Sequence, residues 1–169
     1  MKEQIINYYS NEKQWSTYGL LIAIGLLIVS VLLWKTAGIQ TLQRGLACAI
    51  GIMAVLFIFA ASLTINHNNK RIAKAQQISV NDEVLLKQLE TERMEEVMRN
   101  AYTMALITFS VALVIGVALL VVVKAPLTKG IAWGLVLFGI YGLLMESISM
   151  RKNWVHLEEV RHYEVNNRN

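Results

Sequence analysis

Chemistry needs a nucleophile with its base, a metal cage, a phosphate cradle or a lone ionisable group in an unusual place, and this sequence offers mainly the last. Glu146 interrupts an otherwise charge-free run, 130–150. An intramembrane carboxylate is a functional candidate by default, as the coupling group of a transport or gating path. Its place just ahead of Arg151 and Lys152 also lets it snorkel or pair. It follows Gly139 and Gly142 at successive steps of +3 and +4, which turns it toward protein rather than lipid. Ser147, Ser62 and Thr64 are the other polar side chains near that level, and they complete the candidate intramembrane polar set. His67, His156 and His162 lack ligand spacing, since 156 and 162 fall on different helix faces, and all three read as solvated. Cys48 has no partner and reads as a small packing residue. No GxxxxGK[ST], GxGxxG or GxSxG motif is present. Lipid phosphotransferases and intramembrane proteases need Asp, His or Ser clusters within spans, which are missing here. The expectation is a protein without catalytic residues, metal or cofactor, and not an enzyme.

The elements that carry these residues follow from where charge is missing. Of 169 residues, 55% are apolar and 17% charged, against roughly 45–50% and about 25% in soluble proteins. A single Pro and a single Cys exclude collagen-like chains and disulfide frameworks. Lys, Arg, Asp and Glu are absent from 14–34, 45–69 and 100–123. About 20 apolar residues of helix cross a hydrocarbon core of about 30 Å, so four spans are predicted at about 17–35, 44–65, 102–123 and 130–150. Continuous apolar runs exclude spanning strands, which alternate, and a soluble helix would show a charged face. Trp15 and Trp34 flank the first span, Trp133 opens the fourth and Trp154 follows it, as interfacial rings do.

Lys and Arg are retained on the cytoplasmic side. Twelve lie in the N-terminal tail, the 66–100 connection and the C-terminal tail, against four in the two short turns. Both termini and the long connection are therefore expected in the cytoplasm of a bacterial inner-membrane protein. The first span reads as an uncleaved anchor, because no small-x-small site precedes Lys35. Sliding the chain by 85 residues sets Leu42-Gln43-Arg44-Gly45-Leu46-Ala47 on Leu127-Thr128-Lys129-Gly130-Ile131-Ala132, Ser62 on Ser147 and Asn68 on Asn153. A duplicated helical hairpin with its pseudo-two-fold along the membrane normal is the reading, unlike inverted-repeat transporters. With its Lys-Gly turn and basic residues after the second helix, the layout resembles that of the bacterial inner-membrane YiaA/YiaB two-helix proteins, a resemblance that implies paired hairpins and no activity.

The predicted organisation is an all-α integral membrane protein. Residues 1–16 form an interfacial segment, 17–65 and 102–150 the two hairpins, 66–101 a cytoplasmic helical hairpin, and 151–169 a C-terminal helix and tail. The chain is expected to bend at Asn66-His67-Asn68-Asn69. A helix N-terminus is expected at Ser79 or Asn81, with one helix running from about 82 into the third span. Lys70, Arg71 and Lys74 are expected to meet Glu92, Glu95 and Glu96. Leu86, Leu89, Met94, Val97 and Met98, with Trp154 and Leu157 from the last helix, form the candidate partner surface. Gly45, Ala49, Gly130, Gly134, Gly139 and Gly142 are candidate helix-packing positions, because small-xxx-small spacing brings backbones together.

The bilayer is the expected partner, with self-association or a protein partner; six acids balance six bases between 66 and 100, which excludes nucleic acid. Two functions follow. One is a non-enzymatic interaction protein, an anchor, sensor or regulatory subunit, or an immunity protein against a pore-forming toxin. The other is a homo-oligomeric channel or small transporter lined by Ser30, Thr64, Thr103, Thr108, Ser110, Glu146 and Ser147.

Overall fold

The computed structural model describes residues 1–77 and 83–163. These residues form α1 (Lys2–Thr36), α2 (Leu42–Gln77), α3 (Glu83–Glu96), a π-helical segment (Val97–Ala101), α4 (Tyr102–Val122) and α5 (Pro126–His162). Because α3, the π segment and α4 follow one another without a break, the molecule is four long rods. Each rod contains a stretch long and apolar enough to cross a membrane. Within those stretches only 6–28% of the residues are buried inside the protein. Contiguous apolar surface of that extent needs lipid or a partner as its solvent.

Breakers explain the boundaries. The only Pro stands at the first position of α5, where its missing N–H costs nothing. The other turn is closed by Gln40 in the left-handed region (φ 64°). There the Thr41 hydroxyl donates to the Gly38 carbonyl and accepts from the Arg44 N–H. Arg44 lies 4.4 Å over the Trp34 ring.

α1 packs on α2, α4 on α5, and α2 on α5, giving the order α1–α2–α5–α4. The central pair runs parallel. A Cβ on Gly45 would stand 1.9 Å from the Leu127 carbonyl oxygen, and one on Gly130 would stand 2.1 Å from that of Leu42. These contacts are reciprocal at the 85-residue offset. Only residues that meet their own counterparts lie on a two-fold axis, so the pseudo-axis passes between Gly45 and Gly130. Ala49 against Gly134, where a Cβ would come within 2.2 Å, repeats the relation one turn on. Further along, Phe57 packs against Phe138 and Tyr141.

At the end away from the turns the rods continue past their apolar stretches. α1 begins at Lys2, so the segment expected at the interface is the first part of a long helix. Its Met1, Ile5 and Tyr9 form a core with Ala75, Leu86 and Val160. α2 passes through Asn66-His67-Asn68-Asn69 as helix, without the expected bend, since packing overrides weak propensity. The helix expected from 82 into the third span is present from Glu83, interrupted by the π segment. The start expected at Ser79 or Asn81 lies outside the described residues.

Candidate functional site

The side chains that converge at this polar end come from all five α-helices. Tyr8 and Tyr9 stand on consecutive positions of α1 and therefore diverge, Tyr9 toward α3 and Tyr8 toward α5. The Tyr9 hydroxyl donates to the Glu90 carboxylate at 2.9 and 3.0 Å. Arg93, one turn on along α3, donates to both Glu90 oxygens at 2.7 and 3.3 Å. His156 of α5 brings Nε2 to 3.2 Å from the same carboxylate. Arg93 and Arg71 flank the Tyr9 ring at 5.1 and 5.8 Å, and Arg71 also reaches its hydroxyl at 3.5 Å.

The second branch starts at Tyr8, whose ring stacks on His156 at 3.8 Å. Its hydroxyl lies within hydrogen-bond distance of Glu12 and of the Asn153 amide oxygen. The Asn153 Nδ2 donates to the Tyr102 hydroxyl, which pairs with Ser149 at 3.0 Å. The π segment sets Tyr102 into this chain, because an i→i+5 turn changes helix register just ahead of it.

Glu90, Asn153 and His156 are each at most 6% exposed, so their charges and dipoles act in a medium of low dielectric. Burial alone pushes the Glu90 carboxyl up. The bonds from His156, Arg93 and Tyr9 and the Arg93 charge outweigh burial and bring it down to about 2. Burial, with the nearby Glu12 and Glu90 carboxylates, holds the Tyr8 and Tyr9 phenols well above their ordinary 10. Glu90 is therefore a carboxylate, and both Tyr side chains are protonated donors, across the physiological range. All three residues lie outside the apolar stretches at 17–35 and 102–123.

The arrangement is a charge-compensated clasp that ties α1, α3 and α5 together. Among the described residues no three His, Cys, Asp or Glu side chains come together to hold a metal. His156 was expected to be solvated and instead is 4% exposed, whereas His67 and His162 are exposed. The pairing expected between Lys70, Arg71 and Lys74 and the acids of α3 is not the one found. Arg71 turns to Tyr9, and Glu95 pairs with Arg161 at 2.7 Å, because α1 enters between the two arms. No single residue of this clasp could be picked from the sequence. The signal that existed was Asn68 and Asn153 matching in the repeat, and both are buried.

Of the expected partner surface, Leu86, Met94 and Leu157 are buried within the protein, Val97 and Met98 are half-buried, and Leu89 and Trp154 are exposed. Gly45, Ala49, Gly130, Gly134, Gly139 and Gly142 are all buried in helix crossings within the chain. Gly139 packs on Leu113 and Gly142 on Phe109. Glu146 is half-exposed and has no hydrogen bond or ion pair among the described residues, neither to Arg151 nor to Lys152. Ser62, Thr64, Thr103, Thr108 and Ser147 each donate to the carbonyl four residues earlier in their own helix. Ser30 donates to Ala47 across α1 and α2. Ser62, Thr64 and Ser147 therefore bond within their own helices rather than to Glu146. Compared with family models, with curated proteins and with solved structures, the chain matches none.

Proposed function

We propose that this is a non-enzymatic, multi-pass protein of the bacterial inner membrane that acts by binding another protein through its helical cytoplasmic end. A sensor or regulatory subunit, an anchor and an immunity-type protein all work in this way. Both termini and α3 face the cytoplasm in this reading, which the twelve-to-four distribution of Lys and Arg supports.

The observation that carries it is the clasp centred on Glu90. It makes the protruding ends of the rods a rigid platform, and α3 then presents Val84, Leu85 and Leu89, 59%, 51% and 40% exposed, on its outer side. A preorganised apolar patch with charged neighbours suits protein recognition. Leu86, Met94 and Leu157 hold the platform together from inside, and so support the surface rather than belong to it.

A second reading, a homo-oligomeric channel or small transporter, draws on Glu146, which is half-exposed and unpaired among the described residues. Copies would have to assemble around it. Photo-reactive side chains at positions 85, 89 and 146, used in intact membranes, separate the two. A discrete adduct with a different protein is expected from 85 and from 89, and the one from 85 should be lost in Leu89→Arg. Homo-adducts of four or more copies from 146, with loss of a potassium gradient in reconstituted vesicles, would refute the interaction reading in favour of the channel.

A further inference from the structure

α1 and α5 do not pack along their length; side-chain bridges join them, and the space between is a groove of about 1140 Å³. Its α1 wall is one helix face, Tyr8, Glu12 and Trp15 among its residues, and its α5 wall is another that includes Met145, Ile148, Arg151 and Lys152. Thr64 of α2 forms part of its floor. The polarity changes along the groove in the way a lipid's does. Lys152 places its ammonium 4.7 Å over the Trp15 ring, and interfacial Trp marks the headgroup level. Ile148 and Met145 lie four and seven residues earlier on α5, so about 6 and 10 Å deeper. Glu12, three residues before Trp15, lies about 4–5 Å on the other side of that level.

The charges divide likewise. Arg151 and Lys152 stand together where a phosphate lies, and Glu12 stands just beyond it. Glu159 also lines the groove, but seven residues past Lys152 it is about 10 Å further out. Two bases followed by an acid complement a phosphodiester with an attached ammonium. A headgroup with only negative charge would face Glu12 unfavourably. One turn beyond Thr64 on α2, Asn68 is buried, and its Nδ2 has no hydrogen-bond partner among the described residues.

We infer that the groove binds one phospholipid of the adjoining leaflet that carries a primary-ammonium headgroup. Its phosphodiester lies against Arg151 and Lys152, its ammonium on Glu12, and a chain between Trp15, Met145 and Ile148. The inference goes beyond the proposed protein partner and shares with it only the membrane. Retention of the lipid is read out whether or not anything binds α3.

Trp15 is itself the reporter. In the full chain with Trp34, Trp133 and Trp154 replaced by Phe, its fluorescence is measured in phosphatidylcholine vesicles. These vesicles contain a small, equal mole fraction of brominated phosphatidylethanolamine, phosphatidylcholine or phosphatidylglycerol. Several-fold stronger quenching by the ethanolamine lipid is expected. It should fall to the choline-lipid level in Arg151→Gln and Lys152→Gln, and Glu12→Gln should remove the preference for ethanolamine over choline. Arg151 is exposed, so Arg151→Gln retains the fold, and an unchanged helical circular dichroism spectrum checks this. Equal quenching by all three lipids means annular lipid only and overturns the inference, as does strongest quenching by the glycerol lipid.

Discussion

Replacing Glu90 with Gln removes the carboxylate that Tyr9, Arg93 and His156 all address, while its shape and one acceptor oxygen remain. In the folded protein this carboxyl is lowered from 4.5 to about 2. At about 1.4 kcal/mol per pH unit, its ionised form contributes on the order of 3 kcal/mol to the clasp. A folded-state value below the unfolded one means the contribution is complete above the unfolded value and is lost as pH falls toward the folded one. Roughly half is gone by about pH 3. Loss of the charge also strands Arg93, whose side chain is only 18% exposed, and an unmatched buried charge is costly in itself.

Amide hydrogen exchange of α3 and of the first turns of α1, in detergent and corrected for intrinsic rates, reads this local opening. At neutral pH, Glu90→Gln should exchange about a hundredfold faster than the parent in these segments. The apolar stretches of α2 and α5 should be unchanged. The gap should close as pH falls from about 4.5 toward 2. Equal protection at neutral pH, or a gap that persists undiminished in acid, would refute the account of the clasp.

Three further outcomes are expected. Gly130→Val puts a branched side chain where a Cβ already meets the Leu42 carbonyl oxygen at 2.1 Å; destabilisation of about 1–3 kcal/mol should appear in denaturant titration, with α2 and α5 further apart by spin-label distance. Tyr9→Phe deletes the donor to Glu90 and should cost about 1–3 kcal/mol of local stability, whereas Ile5→Ala should cost about 2–5 kcal/mol, both read by limited proteolysis of α3. Glu146→Gln should leave assembly in gel filtration and its pH response unchanged; a changed response would favour the channel reading.

The fold was legible wherever the information was local. A run of 21 residues or more with no charge, or with the single Glu146, specifies a helix long and apolar enough to cross a membrane, because in lipid a helix satisfies its own backbone hydrogen bonds. The four helical stretches therefore follow from the sequence. So do the Pro126 turn, the continuation of the last helix past residue 150, and the packing value of Gly45 and Gly130, which the 85-residue offset exposed. The candidate site was not legible in this way. Tyr9 and Glu90 are 81 residues apart, His156 and Glu90 66, Tyr8 and Asn153 145. Each looks like an ordinary residue of a solvated helix. Their burial is a property of no single segment. It arises because the start of α1 enters between the arms of α2 and α3 and fills the core with Ile5 and Tyr9. Hydropathy tells each rod which solvent to seek. Only the packed bundle decides which polar side chains lose water together, and there the cost of an unpaired buried charge selects the partners.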